Sequence, residues 1–217
     1  MARWIPLISL LCQFATNCLA QNPELDSLIA LLNAETKRDT TRVNRLIEVH
    51  GHLILNDASS TLPYVEEAMQ ISREIHFAKG IGFSENAMGM YYLYSNENKE
   101  KALEHVLRSV QILDSIGDEN HIITSYNNLG LIYQRLKRHK DSQAIYTELY
   151  NRLKPHGVNN NLLAVCNNLG LAYQNSGDHV NAIEWYRRLL SLSEEAGSKF
   201  GVLMANGNLG RVYENLE

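Results

Sequence analysis

The chain has 217 residues, 45% of them hydrophobic and 20% charged, with 13 Gly, 4 Pro and 3 Cys. That apolar content excludes a disordered chain, and the low Gly, Pro and Cys counts exclude a collagen-like or disulfide-framework protein. A formal net charge of −4, with Lys and Arg scattered, argues against the basic stripe of a nucleic-acid binder.

The first element in chain order is a segment for export. Arg3 supplies a positive start, Trp4 to Cys12 is an apolar run, and Cys18-Leu19-Ala20 offers small residues before a cut at Gln21. Gln13, Thr16 and Asn17 interrupt the run, which falls short of the ~20 apolar residues of a bilayer span. Residues 1–20 are therefore expected to be a signal peptide cleaved after Ala20, placing the protein in the periplasm or another extracytoplasmic space. Cleavage removes Arg3, so 20 basic residues become 19 against 24 acidic ones, a net of −5. It also removes Cys12 and Cys18, leaving Cys166 with no internal disulfide partner. No later segment is long and apolar enough to cross a membrane.

A lead-in helix is expected over 21–40, and a repeat over 41–217. Gly89, Gly130, Gly170 and Gly210 are spaced by 41, 40 and 40 residues, each inside a motif such as Tyr126-Asn127-Asn128-Leu129-Gly130 or Cys166-Asn167-Asn168-Leu169-Gly170. Ala102, Ser142 and Ala182 form a second anchor, 40 residues apart. The units are read as 41–81 (degenerate, carrying Thr61 and Leu62 to Met69), 82–122, 123–162 and 163–202, with 203–217 the first helix of an incomplete unit.

Each unit reads as two helices. Leu129, Ile132 and Tyr133 fall at helical spacing, and Ser142, Ile145, Tyr146 and Leu149 make a second apolar stripe. Gly177-Asp178 marks the turn within one unit and Asn96-Glu97-Asn98 the turn in another, where the extra residue of the 41-residue spacing sits. Pro63 falls in a first helical turn and Pro155 just past a helix end, where a missing N–H does no harm. Glycine in a helix interior costs about 1 kcal/mol against alanine, so its recurrence predicts close helix contacts: Gly89 with Ala102, Gly130 with Ser142, Gly170 with Ala182.

Leu-Gly-x-x-Tyr, followed nine residues after the Tyr by a small residue and four later by an aromatic, resembles the tetratricopeptide repeat. Leu129, Gly130, Tyr133, Ser142 and Tyr146 carry the resemblance, as do Leu169, Gly170, Tyr173, Ala182 and Tyr186. The period is 40 rather than about 34, and Met88 and Val106 stand where Leu and an aromatic are usual. The resemblance implies an all-α fold, a right-handed α-solenoid whose first helices line a concave groove. An exported array of this kind is similar to the sensor portion of bacterial signalling proteins, in which a kinase or DNA-binding output follows. On that expectation the native chain continues beyond Glu217.

No catalytic motif is present, so no enzyme activity, cofactor or metal is expected within these residues. Lys79-Gly80-Ile81-Gly82 lacks the third glycine and the strand of a dinucleotide site, and reads as the loop before a helix. His50 and His52, two apart, point to different helix faces and read as solvated. His139 and His179 share a repeat position, and Cys166 reads as a buried structural thiol. Glu and Asp are spread along outer faces, with no pair placed for acid–base work.

The recurrent asparagines are the informative residues. Asn127, Asn128, Asn167, Asn168 and Asn208 precede the Leu-Gly anchors, although Asn is unfavourable inside a helix. Two roles stand open: an amide bonding a neighbouring helix, or ligand contact from the groove. An amide carries donor and acceptor together, so a row of them can pair with the backbone of an extended peptide. Such ladders occur in superhelical tetratricopeptide proteins, a likeness that extends here to Asn128, Asn168 and Asn208. The candidate groove comprises Asn127, Asn128, Leu131, Gln134, Asn167, Asn168, Leu171, Gln174 and Asn208, and the expected partner is a protein or extended peptide, not nucleic acid or membrane. The rival expectation is a structural protein whose groove is filled by its own chain or another subunit.

Overall fold

Helix starts are set by short polar side chains that turn back on the backbone. Asn22, Asp39, Asn98, Asp118, Asn159, Asp178 and Ser198 each accept from an amide N–H three residues on, capping the helix that follows. In the computed structural model, which describes residues 22–216, the helices are α1 (Pro23–Ala34), α2 (Thr40–Leu53), α3 (Leu62–Glu74), α4 (Ala78–Tyr94), α5 (Lys99–Ser115), α6 (Glu119–Arg135), α7 (His139–Leu153), α8 (Asn160–Asn175), α9 (His179–Glu195) and α10 (Lys199–Glu214). The export segment read in residues 1–20 lies outside the described residues. Short 3₁₀ turns precede α3 and follow α7, and Pro63 and Pro155 sit in first turns.

Helix ends are as regular as the starts. His76, Asn96, Gly117, Lys137, Gly157, Gly177 and Gly197 all have positive φ, one residue about every twenty. Five of these seven close a helix in the same way. At Lys137, for instance, its own N–H reaches Gln134 O at 3.0 Å and the Arg138 N–H reaches Tyr133 O at 2.9 Å. The helices of α4 to α9 are 15–17 residues long, and the turns at 116–118, 136–138, 176–178 and 196–198 only three. The extra length over a 34-residue unit therefore lies in the helices, not in the loops.

The pairs α2–α3, α4–α5, α6–α7 and α8–α9 stack in order, and α10 covers the last pair. Each of α2, α4, α6, α8 and α10 touches the next of its kind, so these five form one layer while α3, α5, α7 and α9 form the other. The fold is an α-solenoid. Between the layers runs a core that includes Tyr126, Leu129, Leu149, Leu169, Tyr186 and Leu189. At one edge, α1 packs Leu32 on Val43, Leu46 and Ala68. Arg42 fastens it by donating to the carbonyl oxygens of Leu32 and Glu35 while its Nε lies 2.6 Å from Glu67 Oε1. At the other edge, Leu209 and Val212 are buried against Ala182 and Tyr186, so the preceding unit alone suffices to cover them, while Tyr213 remains half exposed.

The repeat glycines face a different partner from the one the spacing suggested. A Cβ on Gly130 would lie 2.4 Å from the Tyr146 ring, and one on Gly170 would lie 2.3 Å from the Tyr186 ring. At Gly89 the obstacle is Val106 Cγ2 at 2.4 Å, with Ala102 O next at 2.9 Å. The glycine thus makes room for the large residue one turn beyond the small anchor, and the small anchor lets the helices close enough for that to happen. Ser142 adds a bond, its Oγ donating to Gly130 O at 3.0 Å. Gly210 has nothing within 4 Å of where its Cβ would be.

Lys79 to Gly82 are not a loop; they form the opening turns of α4. Gly80 and Gly82 are there because Ser72, Phe77 and Leu113 press within 3 Å of where their Cβ atoms would be. Close packing, rather than flexibility, explains both glycines.

Candidate functional site

The asparagines meet one another. Asn128 Nδ2 donates to Asn86 Oδ1 at 3.0 Å, Asn168 Nδ2 to Asn127 Oδ1 at 3.2 Å, and Asn208 Nδ2 to Asn167 Oδ1 at 2.7 Å. A ladder of three rungs therefore steps across α4, α6, α8 and α10, each unit donating to the one before. The period brings this about: Asn127 and Asn167 repeat the position of Asn86, and Asn168 and Asn208 repeat that of Asn128. The same positions hold Ala87 at the first unit of the ladder and Gly207 at the last.

Each rung uses only part of its amides. Among the described residues, Asn127 and Asn167 side chains accept through Oδ1 and donate nothing, while Asn128 and Asn168 donate through Nδ2 and accept nothing. All four are half-buried. Asn208 is buried and its Oδ1 takes a bond from Arg211. Of the other expected groove residues, Gln134 Oε1 accepts from Asn175 Nδ2 at 3.3 Å, and Gln174 Oε1 accepts from Tyr186 Oη at 2.8 Å. Leu131 and Leu171 are half-buried and lean on the core.

Sequence reasoning missed what lies beside the first rung. A cavity of about 710 Å³ opens between α2, α4 and α6, with Asn86 and Asn128 on its wall. Apolar side chains supply most of the remainder, among them Ile47, Ile54, Phe83 and Met90. His50 also lines it and is not solvated: it is 5% exposed, its Nδ1 has no hydrogen-bond partner, and burial lowers its pKa to about 4. The two-residue spacing from His52 gave no hint of this, because only the stripe Val43, Leu46, Val49, His50 reveals that the imidazole shares the buried side of α2. Across the cavity, Lys79 Nζ lies 2.8 Å from Asp118 Oδ2 and His121 Nδ1 lies 2.7 Å from Asp118 Oδ1. Burial alone would raise Asp118, yet hydrogen bonds from Lys79 and His121 outweigh it and hold the carboxyl at about 2.

One carboxylate departs from the outer-face pattern. Glu85 on α4 is 5% exposed and lies 2.7 Å from His105 Nδ1, with Arg108 Nε at 3.4 Å. These contacts tie α4 to α5 around one buried carboxylate, with His105 and Arg108 partly exposed. Cys166 is fully buried, and burial pushes its thiol up to about 12, the environment of a packing residue rather than a nucleophile. Glu24, Glu48 and His52 bring potential ligand atoms within 4.8 Å of one another, but the carboxylates are exposed and His52 Nδ1 already lies 3.4 Å from Asn22 Nδ2.

Tetratricopeptide repeat family models match residues 84–154 and 163–196. Among solved structures, the chain is similar to the tetratricopeptide-like repeats of a kinesin light chain protein from Podosopora anserina, at 15% identity and a TM-score of 0.70 over 83% of this chain and 88% of that one. It is similar to a signal transduction ATPase with a tetratricopeptide repeat sensor from Pyrococcus horikoshii, at 18% identity and a TM-score of 0.71 over 87% of this chain and 30% of that one. A Rap protein complexed with Competence and Sporulation Factor gives 15% identity and a TM-score of 0.69 over 81% of this chain and 52% of that one. At these identities the likeness is one of fold. No curated protein sequence matches the chain.

Proposed function

We propose that this array of tetratricopeptide repeats is a non-catalytic scaffold that binds an extended polypeptide along the layer formed by α2, α4, α6, α8 and α10. One observation carries the reading: the ladder leaves the N–H donors of Asn127 and Asn167 and the acceptors of Asn128 and Asn168 unused, alternating along one face. An extended backbone presents the complementary groups in the same alternation. The Rap structure bound to Competence and Sporulation Factor supports the reading by fold. We further propose that the scaffold is exported and serves as the sensor region of a signalling protein, on the strength of the apolar segment at residues 4–12 and the small residues before Gln21. Mass spectrometry of the secreted form should give a mature N-terminus at Gln21, and any other start refutes the cleavage assignment.

A structural role has one observation in its favour, since each rung is already closed within the chain. The double change Asn127→Asp/Asn167→Asp separates the two readings, because it keeps both Oδ1 acceptors of the ladder and turns the two unused donors into carboxylate oxygens. The probe is the capped heptapeptide acetyl-Gly-Ser-Ala-Ala-Ala-Ser-Gly-amide, followed by NMR shifts of the asparagine side-chain amides. Loss of two hydrogen bonds at about 0.5–1.5 kcal/mol each should weaken binding roughly tenfold with the melting temperature held. Equal binding by the double variant and the native chain would mean that the ladder is architecture alone.

A further inference from the structure

We propose that the cavity between α2, α4 and α6 seats one arginine side chain of the bound peptide, its methylene stem on the apolar wall and its guanidinium on Glu48. The inference rests on the peptide reading above and adds to it the residue that is selected. The cavity has Asn86 and Asn128 on its wall, so a backbone paired with that first rung runs along its mouth. Successive side chains of an extended strand point to opposite faces, which turns one of them towards the opening.

Charge decides what that side chain carries. Glu48 and Lys79 are the charged side chains of the lining, and His50 and His121 are its imidazoles. Lys79 Nζ lies 2.8 Å and His121 Nδ1 2.7 Å from the Asp118 carboxylate, which answers both, and burial keeps His50 neutral. Glu48 is left uncompensated. The two arginines of α2 are engaged elsewhere, Arg42 by Glu67 and Arg45 by Glu35, and Glu48 forms no ion pair among the described residues. Glu24 of α1 comes within 4.8 Å of it and adds a second negative charge, while His52, equally close, has its Nδ1 3.4 Å from Asn22 Nδ2. An acidic occupant would be repelled here, and a basic one attracted.

The walls favour a long stem under that charge. Asn44, Ile47, Glu48 and Gly51 lie on one face of α2, which sets the carboxylate beside apolar Ile47. Phe83, Met90 and Tyr94 face the cavity from α4. Arginine lays its methylenes on apolar surface while its head stays at the wet rim, and Glu48 is itself exposed at that rim. A guanidinium also stacks on aromatic faces and meets carboxylate oxygens two at a time, which an ammonium does not.

The test uses the same capped heptapeptide with its central alanine changed in turn to Arg, Lys, citrulline, Leu and Glu. Each is titrated by NMR at low salt and at high salt. Arginine should bind roughly three- to fivefold tighter than citrulline, its neutral isostere, and the gap should close at high salt, as for a solvent-exposed ion pair. Lysine should gain less, and glutamate should bind more weakly than alanine. Glu48→Gln should bring the ratio of arginine to citrulline affinity close to one. Glu48→Lys should reverse the order of the arginine and glutamate peptides. Gly51→Leu, at a lining position with nothing within 4 Å of where its Cβ would be, should take away the gain of leucine over alanine.

If the peptides shift the amides of Asn127 and Asn167 but arginine and citrulline bind alike, or the arginine gain survives Glu48→Gln, the cavity is not an arginine seat and the backbone reading stands. If no peptide of the series shifts those amides, the backbone reading itself fails and this inference falls with it.

Discussion

The two glycines Gly170 and Gly210 occupy the same repeat position, yet alanine should act on them with opposite sign. At Gly170 the new Cβ would lie 2.3, 2.6 and 2.8 Å from three atoms of the Tyr186 ring. Normal contact needs about 3.5–4.0 Å, so the ring must retreat by more than 1 Å. Tyr186 has no room to do so, being fully buried with its Oη bonded to Gln174 Oε1 at 2.8 Å. Overpacking of this kind costs about 1–3 kcal/mol, and the helix propensity gained by replacing Gly returns about 1 kcal/mol. Gly170→Ala should therefore lose up to about 2 kcal/mol. Gly210→Ala meets nothing within 4 Å and keeps only the propensity gain, of up to about 1 kcal/mol. Urea unfolding followed by circular dichroism measures both, and the two variants should differ by the overpacking cost, about 1–3 kcal/mol. At about 2–4 °C per kcal/mol for a chain of this size, that separation is visible in a thermal melt as well. Two variants that both destabilise, by similar amounts, would show that the glycine row does not exist to receive the aromatic ring.

Titration of His50 gives a second expectation. Its folded pKa of about 4 lies below the ordinary value, so the unfolded chain takes up a proton first and stability falls as pH drops from about 6.5 towards 4; the loss between pH 7 and 5 should be about 2 kcal/mol by urea titration and absent from His50→Phe. Lys137 holds φ 58 at the turn between α6 and α7, where Gly177 holds φ 80 one unit later. Lys137→Gly should accordingly stabilise by roughly 0.5–1 kcal/mol and Gly177→Lys destabilise, and a loss on introducing glycine at 137 contradicts the strain argument. Cys166 should resist a thiol reagent in the native protein and react at once in denaturant; rapid native labelling would show that α8 opens far more readily than its burial implies.

The solenoid was legible because its determinants are local and repeated. Gly-x-x-Tyr spacing, capping Asp and Asn residues and turn glycines each act within a few positions of themselves, so one sequence carries several independent copies of the same statement. The glycine partner was misread because spacing reports only which turns face each other. Whether Gly170 meets Ala182 or Tyr186 depends on side-chain reach, and Tyr186 projects back towards the previous turn. The asparagine ladder was half legible, since recurrence marked Asn128, Asn168 and Asn208 while their acceptors lay on neighbouring helices in a register that only coordinates supply. The cavity was hidden for a different reason. Its α2 wall comes from the degenerate first unit, where His50 and Ile47 follow no repeat pattern that could single them out.

The residues at the two ends of the ladder make the array grammatical rather than merely periodic. Ala87 cannot open another bond towards α2, and Gly207 cannot answer a donor placed on a helix added after α10. Splicing a copied 40-residue unit onto the array would therefore add helices without lengthening the polar seam, unless Gly207→Asn were made at the junction. The polar seam is bounded by these two residues, and extending it past α10 takes a single substitution.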